Sequence, residues 1–518
     1  MLRNYLTIAF RALWRDKINA SINVLGLGLG VLCCVLIALY VYDERTFDRF
    51  HTKVDRIYRV YVKEDWGENQ QFFNTVTPYP MGPVLKENFP EVNAQVRILG
   101  ISAQVKSGAQ VVTEPIVIGG QDFFQVFDFS YTGDRASALS HQGNVVLSQA
   151  MAVKYFGNEN PVNKTLSIQI GDSFEDYVVQ GVATVPTNSS ISFGILLSDL
   201  NLSKIFSQEV LTSSWFNVNP ETYVLLQEGV TGESLMAKFP PLFRTLIGEE
   251  DYTKSKYLVG LQPMKDIHLD TSFPQGIAPL SDGKYSLILA GIALLILFVA
   301  CINFVTLAIG RSLTRAKEVG IRKVVGAQRR QIIAQFIGEA ILVTVVSIAV
   351  GVTAAWLSLP VFNDLSGKQL SFPFSGFLVS VLFGLLIVMG VITGSYPAFV
   401  LSNFRPIQIL KGSLPHTRQG LRKALVGMQL VLSIFLISTT LIMRDQLTFL
   451  QNKNLGFNKE QVAVVRLVVP GQGGLVERVA QGFTMAEQYK AELSRLTEIE
   501  SVFASSHDFG TGGWTGVG

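Results

Sequence analysis

Asp43, Glu44, Asp48 and Asp55 lie close together and offer the raw material for acid–base chemistry, which two adjacent carboxylates can perform. Arg45, Arg49, Lys53 and Arg56 interleave with them. Alternating signs of this kind read as a solvated, ion-paired helical stalk continuing the apolar run before it. Gly26, Gly28 and Gly30 have G-x-G-x-G spacing. They lack the third glycine position of a phosphate loop and do not sit between a strand and a helix, so they read as small residues for close helix packing. Cys33, Cys34 and Cys301 all fall inside apolar runs, and His51, His141, His268, His416 and His507 are scattered without ligand spacing. There is no G-x-x-x-x-G-K followed by Ser or Thr, no H-E-x-x-H and no G-x-S-x-G. The sequence therefore predicts no catalytic residue, no metal site and no cofactor of the chain's own.

The residues that stand out act by charge. The stretch 311–335 carries Arg311, Arg315, Lys317, Arg322, Lys323, Arg329 and Arg330 against the single acid Glu318, a net +6 between two long apolar runs. A short loop this basic, flanked by membrane spans, is expected to face the cytoplasm. Glu318 precedes Arg322 by four positions, the favourable order for a helical ion pair. Val319, Ile321, Val324 and Val325 supply apolar side chains to a short helix, and Gly326 permits its stop.

The elements that position this loop follow from composition. The 518 residues are 48% hydrophobic and only 16% charged, against about 25% charged in soluble domains. Residues 1–19 carry net +3 and residues 402–423 net +5; with the central loop they leave the rest of the chain at −11. Such segregation marks the two sides of a membrane and argues against nucleic acid as a partner. Residues 1–19 have Leu6, Phe10, Leu13 and Trp14 at helical spacing among basic positions and read as an amphipathic helix in the cytoplasmic interface. Residues 20–42, 285–310, 340–362, 377–401 and 424–443 read as five spans in contact with membrane lipids. Residues 43–284 form one large soluble segment with strand-like alternation at Ile57–Val62, Val111–Ile118, Val145–Leu147, Leu166–Ile170, Tyr177–Val185 and Thr222–Leu226. Helical patterns fall near Pro80–Phe89 and Gln149–Phe156. The expected fold class is membrane α-helical with a large extracytoplasmic α+β domain. Residues 402–423 are a cytoplasmic linker. Residues 424–443 and the stretch after them resemble the opening of the chain, an internal repeat in which residues 444–518 begin a second extracytoplasmic domain. The expectation is that these 518 residues belong to a longer protein.

The wording EVGIRKVVGA followed by RRQIIAQFIGEAIL closely resembles the cytoplasmic signature of the MacB/FtsX-type ABC transporter permeases. GQDFFQVFDFSY, NVVLSQAMAVKYFG and YVVQGVATVP resemble that family's periplasmic core domain, and GSYPA with Pro406 and ILKG resembles its exit from the fourth span. The resemblance implies that the central loop is a coupling helix docking into a separate ABC ATPase subunit, with Lys317, Glu318, Gly320, Arg322, Lys323, Gly326 and Ala327 as coupling residues. It implies that ATP is bound by that partner subunit, and that the chain is a multi-pass protein of the bacterial inner membrane with a cytoplasmic N-terminus and a periplasmic domain. It also implies a middle subdomain near residues 100–215 and a periplasmic adaptor or substrate protein as a further partner.

The function expected on these grounds is mechanotransmission. A partner ATPase drives a shape change of the periplasmic domain for efflux, lipoprotein release, antimicrobial peptide resistance or signalling. The alternative is a membrane-tethered sensor or scaffold for antimicrobial peptides or cell-envelope signalling without transport. An extracytoplasmic enzyme has no constellation in its favour.

Overall fold

The computed structural model describes residues 17–67, 70–108, 110–171, 173–310, 319–372, 376–396, 417–453, 462–465, 467 and 475–505. Two compact units emerge: Met1–Arg45 with Gly283–Phe457, and Thr46–Asp282 with Asn458–Gly518. In chain order the principal helices are α1 (Lys17–Arg45), α2 (Met81–Asn88), α3 (Gln149–Phe156), α4 (Phe239–Ile247), α5 (Gly283–Gly310), α6 (Arg329–Ser366), α7 (Gly376–Tyr396), α8 (Thr417–Asn452) and α9 (Leu475–Leu493). Five of them, α1, α5, α6, α7 and α8, are long and apolar enough to cross a membrane.

In the helical unit α1 is the central element. Leu27, Val31, Val35 and Leu39, four residues apart, make one buried stripe, joined by Leu297 and Cys301 of α5 and Val343 and Ala355 of α6. Between apolar helices in lipid, association depends on close packing rather than on excluding water. The glycines supply that closeness. A Cβ at Gly351 of α6 would stand 2.6 Å from the Gly28 carbonyl oxygen and 2.6 Å from Val31 Cβ. A Cβ at Gly30 would come within 3.3 Å of Leu297 and Ala300. Thr344, Ser347 and Thr393 are buried, and each hydroxyl donates to the carbonyl four residues back, so no partner on another helix is needed. Gly351→Val is expected to force α1 and α6 apart. The cost is about 1–3 kcal/mol, the range for overpacking a filled interface. Thermal unfolding of the full chain in nanodiscs checks this, with Gly291→Val as the control, because a Cβ at Gly291 meets nothing within 4 Å.

The carboxylates after the first apolar run depart from the stalk expectation. Helix α1 stops at Arg45. Lys368, in the loop between α6 and α7, bonds Asp43 at 2.9 Å and Glu44 at 2.5 Å, and Glu44 is only 2% exposed. Asp48 is buried in a left-handed turn with φ +59°. Asp55 alone of the four remains largely in solvent, 3.1 Å from Lys265. The interleaved cations do not pair in sequence order because Lys53 and Arg56 reach Asp128 and Glu228 instead.

The second unit is built on an eleven-stranded mixed sheet. Its strands are β1 (Ile57–Asp65), β2 (Gln71–Asn74), β3 (Val92–Ser107), β4 (Gln110–Gly119), β5 (Ser130–Thr132), β6 (Asn144–Ser148), β7 (Thr165–Gln169), β8 (Phe174–Thr184), β9 (Ile195–Ser198), β10 (Glu221–Leu226) and β11 (Leu258–Pro263). The spatial order is β11-β1-β10-β3-β4-β9-β6-β8-β5, with β2 on β1 and β7 on β3 and β8. The pairs β4–β9 and β6–β8 are parallel and the rest antiparallel. Strands β6, β9 and β10 are buried along their whole length, and β10 carries the polar Glu221 and Thr222 into the core at its start.

Three side-chain clusters make the core. One packs α2 and α4 against β1, β10 and β11 through Met81, Leu85, Phe239, Phe243, Val60 and Val224. A second lies around β6, β7, β8 and β9. The third, rich in phenylalanine, holds Phe123, Phe124, Phe127, Phe129 and Phe193. The sequence motifs of the domain are thereby accounted for as architecture. Phe123 and Phe124 are core, while Asp122 takes Lys86 Nζ at 2.5 Å and the Gln95 amide at 3.3 Å. Ser148 caps α3 by accepting from the Met151 amide, and Gly157 closes that helix at φ +62°. Gly181 lets β5 approach, since a Cβ there would stand 2.1 Å from the Thr132 carbonyl oxygen.

Candidate functional site

The helical turn ahead of α6 ends in a rigid elbow. Residues 319–324 are helical. The Ala327 amide donates to the Arg322 carbonyl at 2.9 Å and the Gly326 amide to the Lys323 carbonyl at 3.1 Å. This nested pair of bonds is a Schellman closure, and it requires the left-handed residue that Gly326 provides at φ +100°. Two residues later Gln328 caps α6: its side chain accepts from the backbone of Gln331, and Gln331 Oε1 accepts from the Gln328 amide at 3.0 Å. The elbow is thus closed on one side and capped on the other, with little backbone left to flex.

Its side chains sort by direction. Val319, 3% exposed, and Gly320 face inward. Ile321, Val324 and Val325 face outward at 67%, 70% and 83% exposure. Arg322, Arg329 and Arg330 are exposed beside them, and Lys323 is half-buried. Arg322 Nη1 donates to Gln335 Oε1, and Gln335 Nε2 donates to Glu339 Oε1 at 3.0 Å, so a chain of hydrogen bonds runs from the elbow along the first turns of α6. Burial, and then the charge of Arg329, push the Lys323 ammonium down from its ordinary value. A partner that brought carboxylates to this face would relieve that repulsion.

Of the residues singled out by sequence, Gly320, Arg322, Lys323, Gly326 and Ala327 come together in this elbow. Lys317 and Glu318 lie outside the described residues, and with them the Glu318–Arg322 pair. Gln328, Gln331 and Gln335 were not anticipated. Gln331 stands where a capping-box glutamine is expected, but Gln328 is not one of the residues that announce a helix start, so the cap had no clear signal in the sequence.

Elsewhere the described residues offer little for chemistry. Among them no group of three His, Cys, Asp or Glu side chains is arranged to hold a metal. An open groove of about 620 Å³ runs beside α3, but its one acid, Glu159, is bonded to Lys164.

Comparison with known proteins agrees on the family. Residues 20–242 match the MacB-like periplasmic core domain, and residues 290–406 match the FtsX-like permease C-terminal domain. The macrolide export ATP-binding/permease protein MacB of Bdellovibrio bacteriovorus is 36% identical over 132 residues, 24% of this chain and 19% of that protein. The pyoverdine export ATP-binding/permease protein PvdT of Pseudomonas syringae pv. tomato is 23% identical over 430 residues, 79% of this chain and 59% of its own. An uncharacterized ABC transporter permease of Bacillus subtilis, YvrN, is 23% identical over 431 residues, 79% of this chain and 99% of its own. The chain thus spans at most about three fifths of the ATP-binding/permease relatives it matches. Among solved structures, a domain of a permease protein from Porphyromonas gingivalis is similar at 21% identity and a TM-score of 0.37, covering 45% of this chain and 94% of that one. With five membrane-length helices among the described residues and a large α/β domain, the chain belongs to the MacB/FtsX-type ABC transporter permeases.

Proposed function

We propose that this chain is a permease subunit worked by a separate ABC ATPase polypeptide, and that the elbow at residues 319–331 is where the motor engages. The observation that carries the reading is the elbow itself. Three exposed aliphatic side chains stand on a doubly capped turn among four cations, directly ahead of a membrane-length helix. A rigid apolar anchor rimmed by positive charge suits a partner with an apolar socket and an acidic rim. Lys317 and Glu318 belong to the same proposed contact.

On this reading the basic segments 1–19, 311–335 and 402–423 lie in the cytoplasm and the N-terminus with them, in an inner membrane. The soluble domain of residues 43–284 is periplasmic and relays the motor's stroke, in contact with an adaptor or a substrate protein, and residues 444–518 begin a second such domain. The apolar run 285–310 holds no charged residue, so it provides no polar path for cargo across the bilayer. Cargo is handled on the periplasmic side. It is a bulky hydrophobic, lipoprotein or peptide molecule, a range that the macrolide and pyoverdine names of the relatives support.

Sidedness gives the direct test. With the three native cysteines replaced by alanine, Val325→Cys is expected to react with a membrane-impermeant maleimide only in inside-out vesicles. Labelling of intact cells would end the proposal. Cytoplasmic labelling with no associated ATPase would leave the sensor or scaffold reading in its place.

A further inference from the structure

Two chain segments enter the large domain from membrane helices: residues 46–56, just after α1, and residues 264–282, which precede α5. Each is fastened locally. In the first, the Asp48 amide donates to the Asn188 carbonyl at 2.9 Å, and Asn188 Nδ2 donates to the Thr46 carbonyl at 3.3 Å. The Asp48 carboxylate accepts from the Ser190 amide at 2.6 Å and from the Ser190 hydroxyl. Burial pushes this carboxyl up to about 6 although the Ser190 bonds pull it down, which marks the turn as dry. In the second segment, His268 Nδ1 lies 2.8 Å from the Pro279 carbonyl oxygen, which can only accept, so Nδ1 carries the proton. The Ser281 amide donates to the His268 carbonyl at 2.7 Å, and the Ile277 amide to Glu221 Oε1 at 2.9 Å.

These bonds fix each segment to its own surroundings. The two segments run into the paired ends of β1 and β11 at Tyr58 and Pro263, and His268 acts on the charge of Asp48; beyond that ladder they meet at a pair of rings. Phe47 and His268 stack face to face with centroids 3.6 Å apart and planes 5° from parallel, and both are at most 5% exposed. The Asp55–Lys265 pair is a second link, but it is exposed to solvent and adds little.

We propose that the Phe47–His268 stack is a coupling joint that makes the two entering segments one mechanical root, so that the domain takes up the displacement of both membrane helices together. The inference rests on the transmission reading above and names the positioning residues through which the stroke passes. Without the stack the segments would still meet at the β1–β11 ladder, but the turns between that ladder and the membrane helices would give, and part of the stroke would be lost there as relative slip.

Hydrogen exchange of the full chain in nanodiscs tests the joint without any ATPase, so its outcome is separate from that of the transmission reading. Phe47→Ala is expected to speed exchange of the Ser281 and Ile277 amides, on the other segment, by about tenfold. His268→Ala is expected to do the same to the Asp48 and Ser190 amides. His268→Phe keeps a ring in place but loses the bond to Pro279 and the electrostatic interaction with Asp48, so Asp48 and Ser190 amides within about twofold of the parent assign the coupling to the stack, while Ser281 loosens. Amides of β6 serve as the folding control. If Phe47→Ala disturbs them, Phe47→Leu, which keeps the apolar volume and removes the ring, supplies the same reading. Faster exchange confined to the substituted segment in each variant would overturn the proposal.

Discussion

Replacing Val324 and Val325 together by aspartate is expected to abolish co-purification of the partner ATPase, with affinity lowered at least a hundredfold. At 70% and 83% exposure these side chains contribute almost nothing to the stability of the chain itself, so the variant should express and unfold like the parent. In the proposed complex the loss is large for two additive reasons. Fully burying a valine is worth about 1.5–3 kcal/mol, and a hundredfold change in affinity requires only about 2.7 kcal/mol. The new carboxylates would also sit among Arg322, Lys323, Arg329 and Arg330, cancelling the charge offered to an acidic rim, and would need desolvation on docking. Affinity chromatography of the tagged ATPase against the solubilised chain reads the effect. A salt titration separates the two causes, because the charge part weakens with ionic strength and the apolar part does not. Binding within threefold of the parent would remove the elbow from the mechanism.

Much of this site was legible in the sequence, and what was not has a specific cause. Charge density between two apolar runs located the elbow, and Gly326 marked its stop, because both signals are local. Which of Val319, Ile321, Val324 and Val325 face outward was not legible. The phase of a short helix is set by what it packs on, and only Val319 turns inward. The stalk reading of Asp43, Glu44, Asp48 and Asp55 failed for a related reason. It paired charges by proximity in sequence, whereas Lys368, which bonds Asp43 and Glu44, lies more than three hundred residues away.

The fold repeats the lesson. The apolar centres of β6 and β10 and the alternation of β8 declare themselves as strands. Strand β3 does not, although it is sixteen residues long. Its buried positions are Val92, Ala94, Val96 and Ile98, then Ala103 and Val105, so the phase shifts around Gly100. The first set joins Val92 to the cluster around α2 and α4 and the next three to the phenylalanine-rich cluster, while the second set packs with β6 to β9. A strand that serves different cores on either side of a glycine has no single alternation for a sequence window to find.

Glu221→Ala is expected to destabilise the large domain by about 3–5 kcal/mol, the range for leaving one partner of a buried ion pair unpaired. Arg59 and Glu221 are each 1% exposed, with Nη1 3.0 Å from Oε1. Glu221 also accepts from the Tyr223 hydroxyl at 2.7 Å and from the Ile277 amide at 2.9 Å, and Gln262 Oε1 takes the rest of the guanidinium fork at 2.6 Å and 3.2 Å. Removing the carboxylate therefore strands one buried cation, the buried Tyr223 hydroxyl and the part-buried Ile277 amide. Yet the pair need not be favourable in itself, because withdrawing two ions from water costs as much as their attraction returns. The double variant Arg59→Leu/Glu221→Leu should accordingly lose much less than the sum of the single changes. The two readings of the pair separate at the connector. If the Glu221 bond added nothing at the connector, exchange of the Ile277 amide in the double variant would follow its restored global stability. If Glu221 is kept in the core to hold residues 276–278 against the sheet, that amide should stay fast-exchanging even where stability has been restored. Urea unfolding of the full chain, combined with amide exchange at Ile277, measures both quantities on the same samples. Restored stability with a deprotected Ile277 is the expected result, because leucine fills the volume but offers no acceptor for the connector's amide.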